Sequence, residues 1–172
     1  DAEVIALISD HADAPALAIA RAAGIAVHVI KKNDFSSNLA FDEELLRLLQ
    51  LYSPDLVVLA GYMRILRSPK IFAAYAGRII NIHPSLLPKY PGAHAQADAF
   101  NAGEKMSGLT IHIVDESLDA GPILYQEKVD ISRCKSADEV SARILEREHE
   151  SYARVVDDIS RGRYKQVAPR RN

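Results

Sequence analysis

Apolar residues in this chain fall into short blocks separated by polar and glycine-containing turns. Residues 3–9 (EVIALIS) and 25–30 (IAVHVI) are two such blocks, and 56–60 (LVVLA), ending at Gly61, is a third. Near-continuous apolar runs of this length predict strands buried on both faces. Between them the period changes. Residues 14–23 are rich in alanine and stop at Gly24, which predicts a helix with a glycine end. Residues 41–51 carry Phe41, Leu45, Leu48 and Leu49 at helical spacing. Asp42, Glu43 and Glu44 are expected in the first turn of that helix, where carboxylates favour the dipole, and Pro54 is expected to close it. Residues 69–75 predict a short helix, 78–82 a fourth strand and 93–102 a further helix.

Strands alternating with helices indicate an α/β fold, a Rossmann-like and mostly parallel sheet flanked by helices. The pattern changes in the C-terminal half. Residues 109–114 alternate as LTIHIV, and residues 123–129 form another strand soon after, a pair that predicts an antiparallel strand. Residues 136–159 predict a long helix, with Ser136 as N-cap and Glu139 completing a capping box. Val140, Ile144, the Ala153 region and Val156 mark its buried face. Neither repeat nor linker interrupts the pattern, so residues 1–172 are read as a single domain.

Composition narrows the function classes. The formal net charge of −2 argues against a nucleic-acid binder. Arg161, Arg163, Lys165, Arg170 and Arg171 form a basic tail, read as a solvated end. A lone cysteine, Cys134, excludes an internal disulfide and fits a reducing compartment. Apolar runs fall short of the ~18 residues of a membrane span, and no signal peptide is visible. The expectation is a cytoplasmic protein without nucleic-acid or membrane partners, acting on small molecules as a monomer or homodimer.

In open α/β sheets ligands bind beyond the carboxyl ends of the strands, and the unusual residues lie there. Alternation along the fourth strand puts Asn81 and His83 on one side, and Pro84 and Pro88 stiffen the loop that follows. A rigid loop presenting His and Asn suits acid/base chemistry. A satisfied core histidine beside a turn asparagine is the competing reading on residue type alone. Asp119 falls in a turn beside Gly121, where it reads as an Asx-turn residue or as a carboxylate orienting an imidazole. Residues 60–66 (AGYMRIL) read as a loop or as an apolar slot for a flat heterocycle. The six histidines show no metal-ligand spacing, so no metal is expected.

Taken together, the strings AGYMRIL, NIHPSLLPKYPG and GLTIHIVDESLDAGPIL resemble the folate-dependent formyltransferase family, and within it the branch that formylates glycinamide ribonucleotide. The similarity runs over essentially the whole chain. It implies transfer of a formyl group from 10-formyltetrahydrofolate to the amine of glycinamide ribonucleotide, by direct attack without a covalent enzyme intermediate. Asn81, His83 and Asp119 match the family's catalytic set. The resemblance further implies a folate pocket formed by Met63, Arg64, Ile65 and Leu66 together with Asp115, Glu116 and Leu118. On the nucleotide side it implies Pro84, Ser85 and Leu86, with Glu148 for the ribose hydroxyls. Ser85 is not expected to act as a nucleophile.

The family also opens with a strand and a glycine-and-serine loop that cradles the substrate phosphate. That segment is not recognisable before Glu3, and the expectation is that about 25 residues, a strand–loop–helix unit, are missing from the sequence. Two other readings stay open: a 10-formyltetrahydrofolate hydrolase, and a non-catalytic folate- or nucleotide-binding homologue.

Overall fold

The structure, a computed structural model, describes residues 2–168. Arg170 and Arg171 of the basic tail lie outside the described residues. The chain forms two compact units, one made of Ala2–Asp55 and Leu66–Ala74, the other of residues 56–65 and, among the described residues, 75–168.

In the first unit, β1 (Ala6–Ser9) and β2 (Ala26–Val29) pair in parallel, and α1 (Pro15–Ala22) connects them. Pro15 occupies the first turn of α1, where a missing N–H costs nothing, and Leu17 and Ala20 face inward. α2 (Asn38–Tyr52) buries Phe41, Leu45, Leu48 and Leu49 as the spacing predicts, and Leu46 with them. It begins earlier than its apolar stripe, because Ser37 caps it by accepting from Ala40 N at 3.1 Å. Asp42 therefore does not belong to the first turn. It is 1% exposed, and its Oδ2 accepts from Arg67 N at 2.8 Å and Ser68 N at 3.0 Å, tying down the approach to α3 (Pro69–Ala74). Ser53, in the left-handed region at φ 45°, ends α2 one residue before Pro54.

The second unit is built on a four-stranded sheet in the order β3 (Val57–Leu59), β4 (Ile79–His83), β5 (Met106–Ile113), β6 (Ile123–Asp130). β3 and β4 are parallel, while β5 runs antiparallel to both its neighbours, the departure that the alternation of 109–114 predicts. Register explains why β4 and β5 are buried on both faces. Ile80 and Ile82 stand opposite Ile113 and Ile111. On that face Ile80, Ile82 and Ile111 join Leu109 in a core with Val140, Ile144, Tyr152 and Val155 of α5 (Ala137–Ser160) and Ala99 of α4 (Ala95–Asn101). The opposite face carries Asn81 and His83 against His112 and Thr110.

α5 starts where the sequence places it, with Ser136 Oγ accepting from Glu139 N at 3.2 Å. The return arm of the expected capping box differs: Glu139 Oε2 accepts from Lys135 N, one residue before the cap. Its buried stripe also passes through Ser151, Tyr152 and Val155, leaving Ala153 exposed. The Tyr152 hydroxyl donates to two strand carbonyls, Leu59 O at 2.8 Å and Ile80 O at 3.1 Å, and so fastens the helix across β3 and β4. Burial pushes that phenol well above its ordinary range and keeps it a donor.

Gly108 lies in β5 where a Cβ would run into the carbonyl oxygen of Glu127 on β6 and come within 2.7 Å of a Leu86 methyl. The obstruction is backbone and cannot rotate away. Gly108→Ala is expected to lower stability by about 1–3 kcal/mol or more, as overpacking does. Urea denaturation measures it, and an unchanged midpoint would show that β5 and β6 can part at this level.

Candidate active site

The carboxyl ends of β3 and β4 lie side by side, and β5 runs beside β4 in the opposite direction. Leu59, the last residue of β3, pairs with Asn81, and Asn81 pairs on its other side with His112, next to last in β5. The loop after β3 leaves the sheet level with Asn81. β5 instead runs on past it to Ile113 opposite Ile80, with Val114 N bonded to Ile79 O at 2.8 Å. The loop after β5 therefore has to fold back over this face to bring Asp119 to the histidines.

His83 is 4% exposed, and its ring is held from two sides. Nε2 lies 2.8 Å from the carbonyl oxygen of Tyr90. A carbonyl only accepts, so Nε2 carries hydrogen and donates, and Nδ1 is left to face Asp119 Oδ2 at 3.6 Å. Asp119 occupies the left-handed region at φ 49°, a conformation that a short polar side chain tolerates better than most. Its Oδ2 accepts from Gly92 N at 2.8 Å, which joins the turn after β5 to the loop after β4. Its Oδ1 lies 3.7 Å from His112 Nε2. One carboxylate thus stands between two imidazoles, one oxygen toward each.

The loop between His83 and Gly92 is stiffened by more than its prolines. Thr110 Oγ1 donates to Ser85 O at 2.7 Å and accepts from Leu87 N at 3.1 Å and Gln126 Nε2 at 2.9 Å, which uses its whole bonding capacity. Gln126 Nε2 also reaches Leu87 O at 2.8 Å. Ser85, fully buried, donates its hydroxyl to Lys89 O at 2.6 Å and lies 3.2 Å from Tyr90 O. Tyr90 sits at φ 54°, and its hydroxyl donates to Glu104 Oε1 at 3.0 Å beside Lys89 Nζ at 2.7 Å.

The sequence-derived residues separate into groups. On the face away from the isoleucines His83 and Asp119 come within 3.6 Å, and Asn81 is joined to Asp119 through His112, 3.3 Å from the first and 3.7 Å from the second. Pro84, Ser85 and Leu86 follow directly, although Ser85 N and O are both used inside the loop, bonded to His83 O and Thr110 Oγ1. Met63 and Ile65 are exposed, Arg64 is half-buried, and the side chain of Leu66 is buried in the other unit. Asp115, Glu116 and Leu118 are exposed, and Asp115 turns its Oδ1 back onto Ser117 N at 2.9 Å. Glu148 stands half-buried on α5, where loss of water raises its carboxyl above the ordinary range.

Sequence reasoning passed over His112, Thr110, Tyr90 and Gln126. The alternation of LTIHIV already put Thr110 and His112 on one face, but which residues stand opposite them depends on register across the ladder. Among the described residues no cluster of His, Cys, Asp and Glu is arranged to hold a metal.

Residues 1–156 match the family described as formyl transferase. The phosphoribosylglycinamide formyltransferase of Escherichia coli (strain K12) is 46% identical over 162 residues, which is 94% of this chain and 76% of that protein. The enzyme of the same name from Bacillus subtilis (strain 168) is 36% identical over 159 residues, 92% of this chain and 81% of that protein. Among solved structures, glycinamide ribonucleotide transformylase 1 from Symbiobacterium toebii superimposes with a TM-score of 0.87 at 42% identity, covering 92% of this chain and 74% of that one.

His112 links the site to stability. Burial pushes its pKa below the ordinary 6.5, with the nearby His83 acting in the same sense and Ile113 O, Asp119 and Asp115 opposing. The unfolded ring takes up a proton more readily than the folded one, so this group's share of stability is complete above about pH 6.5 and is lost as pH falls below it. His112→Gln is expected to remove that part of the acid slope, as measured by urea unfolding between about pH 7.5 and 5. An unchanged slope would mean that the folded ring protonates as easily as the unfolded one.

Proposed function

The chain belongs to the formyl transferase family, and from that premise we propose that it is a phosphoribosylglycinamide formyltransferase of purine biosynthesis, moving the formyl group of 10-formyltetrahydrofolate onto the amine of glycinamide ribonucleotide. The observation that carries this reading is the approach of Asp119 to His83, with Asn81 on the same face of β4, at the carboxyl ends of β3 and β4.

When the amine attacks the formyl carbon, a C–N bond forms and the formyl oxygen takes up the displaced electron pair. Asn81 and His83 are the donors that hold this charge, Asn81 through Nδ2 and His83 through Nδ1 as an imidazolium, since Nε2 already carries the one hydrogen of the neutral ring. Nε2 of His83 is committed to Tyr90 O and does not compete. Preorganised donors in a site with little water typically contribute ~10² to 10³ each. Asp119 holds Nδ1 of His83 in line. It also relays the proton shed by the amine, through water, to the folate nitrogen as the old C–N bond breaks, which leaves charge and protons balanced. Direct attack needs no enzyme nucleophile, and the Ser85 hydroxyl, buried and spent on Lys89 O, fits a purely structural part.

The folate side is supported by three large apolar side chains standing in water, Met63 and Ile65 on the loop after β3 and Leu118 on the loop that carries Asp119. Met63 is 73% exposed, Ile65 51% and Leu118 55%. A flat pteridine laid over them removes apolar surface from water. Arg64, Asp115 and Glu116 complete that side in this reading, and Leu66, buried in the other unit, is left out of it. Pro84 to Leu86 form the nucleotide side, and Glu148 accepts from the ribose hydroxyls.

The test is loss of the 10-formyl group, followed by absorbance with and without glycinamide ribonucleotide. Deformylation that requires the nucleotide is expected; the same rate without it would make the chain a hydrolase. His83→Ala and Asp119→Ala are each expected to lower turnover at least ~100-fold with circular dichroism unchanged. Near-normal turnover in either variant removes that residue from the mechanism.

A further inference from the structure

His112 is the buried titratable side chain that the proposed chemistry leaves without a task. It is 2% exposed and stands directly across the ladder from Asn81. Both ring nitrogens are engaged. Nδ1 lies 3.1 Å from the carbonyl oxygen of Ile113, and since that oxygen only accepts, Nδ1 carries the hydrogen of the neutral ring. Nε2 is then a bare lone pair. The atom facing it, at 3.3 Å, is Nδ2 of Asn81, which donates.

We propose that His112 is a positioning residue, whose Nε2 lone pair fixes the side-chain amide of Asn81 so that Nδ2 keeps its second N–H for the reacting formyl oxygen. The terminal torsion of an asparagine is broad and roughly two-fold, so without a partner the amide turns over and exchanges Nδ2 for Oδ1. An oxygen in that place would face the developing negative charge lone pair to lone pair. His112 prevents the exchange, because Oδ1 turned inward would meet Nε2 with two acceptors in contact and no hydrogen between them. A backbone carbonyl thereby decides the direction of a side chain two hydrogen bonds away: Ile113 O sets the tautomer of His112, and the tautomer sets the amide of Asn81.

The arrangement holds while the ring stays neutral. Asp119 Oδ1 lies 3.7 Å from Nε2, and a protonated His112 would donate toward that carboxylate and repel the Asn81 amide hydrogens. Burial works against that state. With His112 neutral, Asp119 is left to His83.

The inference rests on the proposed role of Asn81, and the test separates the two. kcat and KM for both substrates are measured in Asn81→Ala, His112→Ala, His112→Gln and the double variant Asn81→Ala/His112→Ala. His112→Ala is expected to lower kcat ~10- to 100-fold, part of the value of an oriented donor, with each KM within about twofold of the parent. His112→Gln, which can offer an oxygen as acceptor, recovers much of the loss. In the Asn81→Ala background, removal of His112 costs no more than about twofold, because residues acting as one unit are not additive. If alanine leaves a cavity that unfolds the protein, His112→Leu takes its place in the single and double variants with the same expectations. Losses that multiply in the double variant, or a raised KM at unchanged kcat, overturn the positioning role. So does full activity of His112→Ala beside an impaired Asn81→Ala, in which case the reading of Asn81 survives. Full activity of Asn81→Ala overturns both.

Discussion

The site depends on the antiparallel register of β4 against β5. That register sets Asn81 opposite His112 and His83 opposite Thr110, on the face away from the apolar core. A one-residue slip would carry these side chains into the isoleucines and the isoleucines into the site. Because this polar face is largely sealed from water, its members have to satisfy one another, and unmet groups would be costly. Thr110 spends its hydroxyl on the loop after β4, His112 meets Asn81, and His83 meets the Tyr90 carbonyl. Packing and chemistry are thus one requirement here: the hydrogen bonds that make burial of these residues tolerable are the ones that aim them.

The loops extend the same logic. Asp119 gives one oxygen to Gly92 N and turns the other toward His112, so a single carboxylate joins the turn after β5 to the loop after β4. Gly121, two residues on, sits so near Ile113 O that a Cβ would collide with it. The turn is drawn tightly against the end of β5, and this closeness brings Asp119 within reach of both imidazoles.

The elements were legible in the sequence because apolar blocks and 3.6-residue periods mark strands and helices. Burial on both faces was not: β1, β2 and β3 are only half-buried, and Val4, Ile5 and Val58 are 60%, 41% and 41% exposed. The exceptions have local causes. Asp42 was read as a helix-start carboxylate because its neighbours Glu43 and Glu44 are acidic, whereas it is buried and bonded to Arg67 N and Ser68 N far along the chain. Alternation put Asn81 with His83, and motif resemblance added Asp119. His112 and Thr110 stayed hidden despite lying in a plain alternating strand. Periodicity tells which face a side chain takes and says nothing of its partner across the ladder. Tyr90 was harder still, since its backbone carbonyl, and not its side chain, meets His83.

The hydrogen bond from Asn81 to His112 closes a loop of 31 residues. Gathering a loop of that length costs roughly 3 kcal/mol of chain entropy before any contact repays it. The site therefore cannot be present in a nascent or partly unfolded chain that holds only the first strands. It comes into being only when β5 docks on β4. Loss of that docking and loss of a competent site are then one molecular event.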